Sequence, residues 1–114
     1  MRRSRTLYLE DIVEAMRDIF DFIKDMGFDD FDSDKKTASA VIRKLEIIGE
    51  AAKNIPSEVT VKYHEIPWSY MAKMRDKLIH GYFGVDNQII WEVIDKRFKD
   101  LLPKIEKVLN DLKK

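Results

Sequence analysis

Apolar residues recur at steps of three and four along nearly the whole chain, a period that suits helices packed on one another and no strand pattern. The clearest run is Ala38, Val41, Leu45, Ile48, Ala52 and Ile55, whose strictly alternating spacing is that of an interhelical seam. This helix is expected to stop before Pro56. Gly49 sits inside it at a cost of about 1 kcal/mol relative to alanine, which points to close packing against its backbone.

Three further helices follow from the same period. Leu9, Ile12, Val13, Met16, Ile19, Phe20 and Ile23 define a first helix with Gly27 as its stop. Residues 28–34, four aspartates and a serine with two aromatics, read as a connecting loop held to the core by Phe28 and Phe31. A short segment with Val59, Val61 and Tyr63 leads to Ile66-Pro67-Trp68, which opens a third helix facing Trp68, Met71, Met74 and Leu78 inward. Gly81 and Gly84 break it, and Asp86 or Asn87 caps the last helix. That helix carries Ile90, Val93, Ile94, Phe98, Leu101, Ile105, Val108 and Leu112 inward, with Pro103 expected to kink or split it. The expectation is an all-α antiparallel four-helix bundle, one domain spanning residues 1–114.

Composition narrows the function classes. There is no cysteine, which removes disulfides, thiolate nucleophiles and cysteine-bound zinc together. His64, in Tyr63-His64-Glu65, has no convergent set of ligands and reads as a surface residue. No metal or cofactor is expected. No apolar run approaches the roughly 18–20 residues of a membrane span. The basic start is followed by Glu10, Asp11 and Glu14 rather than a signal-peptide core, so a cytoplasmic location is expected. Formal net charge is zero, but the first 34 residues hold ten acidic and five basic side chains, so different faces could meet different partners.

Chemistry concentrates where the third helix ends, in Met74-Arg75-Asp76-Lys77-Leu78-Ile79-His80-Gly81-Tyr82-Phe83, an R-x4-H-x-Y pattern. On an unbroken helix Arg75 and His80 would lie about 140° apart. Loosening near Gly81 would let His80 approach Arg75 while staying one turn from Asp76, whose carboxylate would fix the imidazole tautomer and raise its pKa. Histidine moves protons near neutral pH, and a guanidinium stabilises a crowded anionic phosphorane through paired hydrogen bonds. The set suits metal-independent RNA cleavage, in which a ribose 2′-hydroxyl attacks the adjacent phosphorus. Such cleavage needs both a base and an acid, and the cluster has one histidine per chain, so a symmetric homodimer with a composite cleft is expected. Arg43, Glu46 and Glu50, on one side of the second helix, either line that cleft or form an exposed ion-pair network. The alternatives in the motif are a helix-end histidine, a salt-bridged surface arginine and a rim tyrosine.

The chain resembles the HepT-like toxins of the HEPN superfamily along its length. The matching blocks are Tyr8-Leu9-Glu10-Asp11-Ile12, the stretch from Arg43 to Ala52, Ile66-Pro67-Trp68, Met74-Arg75-Asp76, Ile79-His80-Gly81-Tyr82-Phe83 and Trp91. Asp76 stands where relatives often carry asparagine. The resemblance implies a HEPN bundle with a short extra helical segment. It further implies a homodimer with catalytic Arg75 and His80 at its cleft, and a toxic endoribonuclease. It also implies a minimal nucleotidyltransferase antitoxin that transfers AMP to Tyr82. The competing reading is a non-catalytic helical binding module that docks such a nucleotidyltransferase and is modified by it.

Overall fold

The computed structural model describes residues 4–79 and 86–114, without the side chains of Arg5, Arg75, Lys77, Leu78 and Ile79. The described residues form helices α1 (Arg5–Phe22), α2 (Phe28–Ser33), α3 (Lys35–Lys53), α4 (Ser57–Lys62), α5 (Trp68–Ile79), α6 (Asn87–Glu92) and α7 (Lys99–Lys113). A π-helical turn, Val93–Phe98, joins α6 to α7, and no strand occurs among the described residues. The architecture is an all-α bundle. Helix α3 packs on α1 and α5, α1 also packs on α7, and α2 fills the space between α3 and α6.

The periodic stripes are what the bundle buries. Leu9, Ile12, Met16 and Ile19 from α1 meet Val41, Leu45 and Ile48 from α3, with Met71, Ile90, Ile94, Phe98 and Ile105 closing the core. Gly49 is buried within α3. No polar or charged side chain is buried among the described residues, so the bundle's cohesion is hydrophobic. Ion pairs Arg17–Glu106, Lys44–Asp18 at 2.9 Å and Lys113–Glu10 at 3.0 Å link α1 to α7 and α3 across the surface. Exposed pairs of this kind contribute only about 0–1 kcal/mol each, so they adjust the bundle rather than hold it.

Three local expectations need correction. Gly27 does not end the first helix: α1 stops at Phe22, the turn is made by Asp25 at φ 65°, and Gly27 instead precedes α2. Residues 28–33 are helical rather than a loop. The Asp30 carboxylate accepts from the Gly27 N–H at 3.0 Å, Asp29 and Asp30 sit at the positive end of the helix dipole, and Phe31 is fully buried. Residues 57–62, to which no element was assigned, form the short helix α4, where burial of Val59 overrides the weak helix preference of β-branched residues. The interruption in the last helical stretch is the π turn at 93–98, one turn ahead of Pro103, and α7 runs through the proline.

Caps fix where the helices begin. Ser4 Oγ accepts from the Thr6 N–H at 3.2 Å, and Asp86 Oδ1 accepts from the Gln88 N–H at 2.9 Å. At α3, Asp34 Oδ1 accepts from the Thr37 N–H at 3.0 Å and Oδ2 from the Thr37 hydroxyl at 2.7 Å. Those bonds, the backbone one first, hold the Asp34 carboxyl below the usual carboxylate range. A carboxyl with a depressed folded pKa stabilises the fold above its unfolded pKa, and the contribution is lost as pH falls through the folded value. Asp34→Ala is therefore expected to lower the urea midpoint at neutral pH, with the difference from the parent shrinking as pH drops below the carboxylate range. Asp34→Asn, an equally good cap without a titrating group, should stay near the parent at neutral pH. Equal neutral-pH midpoints for Asp34→Ala and the parent would show that this cap does not hold α3.

Candidate functional site

Arg75 and Asp76 lie in the second half of α5, and α5 ends at Ile79, the residue before His80. Asp76 is half-buried and engaged in an interaction of its own. His80 and Tyr82 lie outside the described residues, as does the side chain of Arg75, so the expected approach of His80 to Arg75 and Asp76 falls there too. What the described residues define is the frame that leads into and out of that segment.

Both ends of the frame are anchored. At the start of α5, Trp68 is buried and its indole N–H donates to the Tyr63 carbonyl at 3.1 Å. The Pro67 carbonyl accepts from the Met71 N–H at 3.1 Å, so the proline occupies a position where its missing donor costs nothing. On the far side, Asp86 caps α6, the Asn87 amide donates to Asp32 at 3.1 Å, and Trp91 packs on Phe31 and Phe28 with ring centroids 5.4 and 6.3 Å away. Trp68 and Trp91 are thus packing anchors, Trp68 facing inward as its helical phase suggested.

Arg43, Glu46 and Glu50 share one groove of about 230 Å³ with Tyr8, Asp11, Ile47 and Ala51, between α1 and α3. The Arg43 guanidinium pairs with Glu46 at 3.3 Å, so this stripe carries an ion pair of the kind expected and also lines a concave surface of the single chain. Tyr8 and Asp11 were not foreseen as lining residues. The signal was present, since they are three apart and follow the flank of the apolar stripe of α1, Tyr8 lying one turn before Ile12. Among the described residues no group of three or more histidine, aspartate or glutamate side chains is placed to hold a metal ion, and His64 is exposed.

Residues 12–108 match the family described as ribonuclease HepT-like. The chain belongs to this family. It is 53% identical over 108 residues to a Thermococcus cleftensis protein named a probable ribonuclease HepT, covering 95% of this chain and 98% of that one. It is 50% identical over 105 residues to a Methanocaldococcus jannaschii protein provisionally named an RNase, covering 92% and 87%. A second protein of that organism, whose name joins a gamma-glutamylcyclotransferase to an RNase, is 46% identical over 114 residues and is covered for 51% of its length. No solved structure matches the chain. HepT-like family membership carries ribonuclease as the activity class. No helix among the described residues is long and apolar enough to cross a membrane.

Proposed function

We propose that this HepT-like chain is the toxin of a toxin and antitoxin pair, a metal-independent endoribonuclease acting as a homodimer. The observation that carries the reading is the R-x4-H-x-Y sequence at the end of α5, within a near full-length match to relatives named as ribonucleases. In the proposed reaction, one imidazole takes the proton of a ribose 2′-hydroxyl, whose oxygen bonds to the adjacent phosphorus. The P–O5′ bond breaks, and a second imidazole gives the departing 5′ oxygen its proton. Cyclic phosphate and a free 5′-hydroxyl are left. Arg75 holds the phosphorane oxygens, and Asp76 orients His80. DNA lacks the attacking hydroxyl and is spared.

A minimal nucleotidyltransferase antitoxin would neutralise the toxin by transferring AMP from ATP to Tyr82: the phenol oxygen bonds to the α-phosphorus, the bond from that phosphorus to the bridging oxygen breaks, and pyrophosphate leaves while the phenol proton is released. A bulky anion two residues from His80 competes for the space and charge that a substrate phosphate requires. Purified protein is expected to cut labelled RNA in excess chelator, leaving cyclic phosphate ends and an intact DNA of the same sequence. Activity that disappears with chelation would remove the metal-independent mechanism. Co-expression with the nucleotidyltransferase should add whole AMP moieties to the intact mass and abolish cutting. Tyr82→Phe should gain no mass.

A further inference from the structure

A second groove, of about 310 Å³, lies between α5 and the α6 and π-helical stretch, lined by Tyr70, Ile89, Glu92, Val93, Lys96 and Arg97. Its walls are the two helical segments that precede and follow positions 80–85 in the chain, with Tyr70 in the first turn of α5 and Ile89 in the first turn of α6. Ile89 is 59% exposed, an apolar surface without a cover among the described residues. The Arg97 guanidinium carbon stands 5.1 Å from the centre of the Tyr70 ring, in cation–π range. Lys73, one turn along α5 from Tyr70, is exposed as well.

Of the four lysines of α7 three are paired, and Lys107 has no carboxylate partner among the described residues. Lys99 pairs with Asp95 at 2.6 Å, Lys104 with Asp100 at 3.1 Å and Lys113 with Glu10 at 3.0 Å. Among the described residues no carboxylate pairs with Lys73, Lys96 or Arg97. Unneutralised cations beside a partly open aromatic ring are the two components that grip single-stranded nucleic acid: cations follow the phosphates and the ring stacks a base. Glu92, the carboxylate of the lining, disfavours a phosphate above it, so the backbone would run along the Lys96 side.

We infer that this groove holds nucleotides of single-stranded RNA flanking the scissile phosphate, with a base stacked at Tyr70 and Arg97 and phosphates at Lys96 and Lys73. The inference rests on the ribonuclease reading and extends it to a substrate class. It is tested by fluorescence anisotropy of a short labelled oligouridine, with cleavage of the same RNA followed in parallel. Lys96→Gln combined with Arg97→Gln is expected to weaken binding about tenfold, by removing one phosphate contact and one stacking partner, and to reduce the slope of log K against log salt by about 0.7, the share of the one phosphate at Lys96. Tyr70→Leu should weaken binding about tenfold without altering the slope, and Tyr70→Phe should restore it. Lys104→Gln, which removes a paired charge elsewhere, should change affinity less than about twofold.

If the chain binds and cuts RNA while the Lys96 and Arg97 variant keeps the parent's affinity and slope, the groove proposal falls and the ribonuclease reading stands. If that variant changes the sedimentation mass instead of RNA affinity, the face is a protein interface and the proposal is overturned. If the unsubstituted chain neither binds nor cuts RNA, both readings fall together.

Discussion

His80→Ala is expected to lower RNA cleavage by about 10²- to 10⁴-fold, the usual contribution of a positioned proton-transfer group, while leaving the thermal midpoint within a degree or two of the parent. The chemical step needs a proton removed from one oxygen and another delivered to the leaving oxygen, and water at neutral pH does both poorly. Arg75→Ala should lose about 10²- to 10³-fold, because one fixed charge on the phosphorane is removed, and Arg75→Lys should recover only part of it, since an ammonium cannot make the paired contacts of a guanidinium. Cells expressing either alanine variant should grow where cells expressing the parent arrest. A composite cleft adds a sharper consequence. If one phosphodiester requires an imidazole from each copy, a dimer with a single His80 is as inactive as one with none. Mixing parent and His80→Ala chains, with time for exchange, should then reduce activity as the square of the parent fraction. A linear decline would mean that each copy works alone, and undiminished cleavage by His80→Ala would remove the histidine from the mechanism.

The sequence spoke most clearly where a single physical cause acted. The stripes of α1, α3 and α7 were readable because long amphipathic helices leave a period that few other structures produce, and Leu9, Val41, Leu45 and Ile105 all went where the period put them. The positions of the short helices α2 and α4 were not readable from periodicity. Six-residue helices have almost no periodicity to detect, and α2 and α4 exist because Phe31 and Val59 find places in a core assembled by distant segments. The π turn was hidden for a related reason. Its cause is the packing of Ile94 and Phe98 into one core on both sides of an extra residue, and Pro103 gave only a nearby hint. For the site, Arg75, Asp76, His80 and Tyr82 were legible as a motif, and Arg43, Glu46 and Glu50 as a stripe. Tyr8 and Asp11 joined that stripe only through the packing of α1 on α3. The Tyr70 and Arg97 contact was invisible, since residues 27 apart on different helices share no local pattern.

Phe31 offers the largest structural effect. Its side chain is fully buried, it packs against Trp91 at 5.4 Å, and it is the buried anchor of a helix too short to persist alone. Truncation to alanine removes the transfer free energy of the ring and leaves a cavity, together about 3–5 kcal/mol, out of the roughly 5–15 kcal/mol that holds a domain of this size. Phe31→Ala is accordingly expected to lower the thermal midpoint by more than about 10 °C, with Phe28→Ala, half-buried and in edge contact with Trp91, lowering it by less than half as much. Without Phe31 the exposed Asn87–Asp32 hydrogen bond cannot by itself hold α2 on α6. The start of α6, which receives the chain from the motif segment, would loosen with it. RNA cleavage should therefore fall in Phe31→Ala well below the temperature at which the rest of the bundle unfolds, although no group that touches substrate has changed. Equal midpoints for the two phenylalanine variants would mean that α2 lies on the bundle without anchoring it, and the frame around positions 80–85 would then depend on α5 and the Asp86 cap alone.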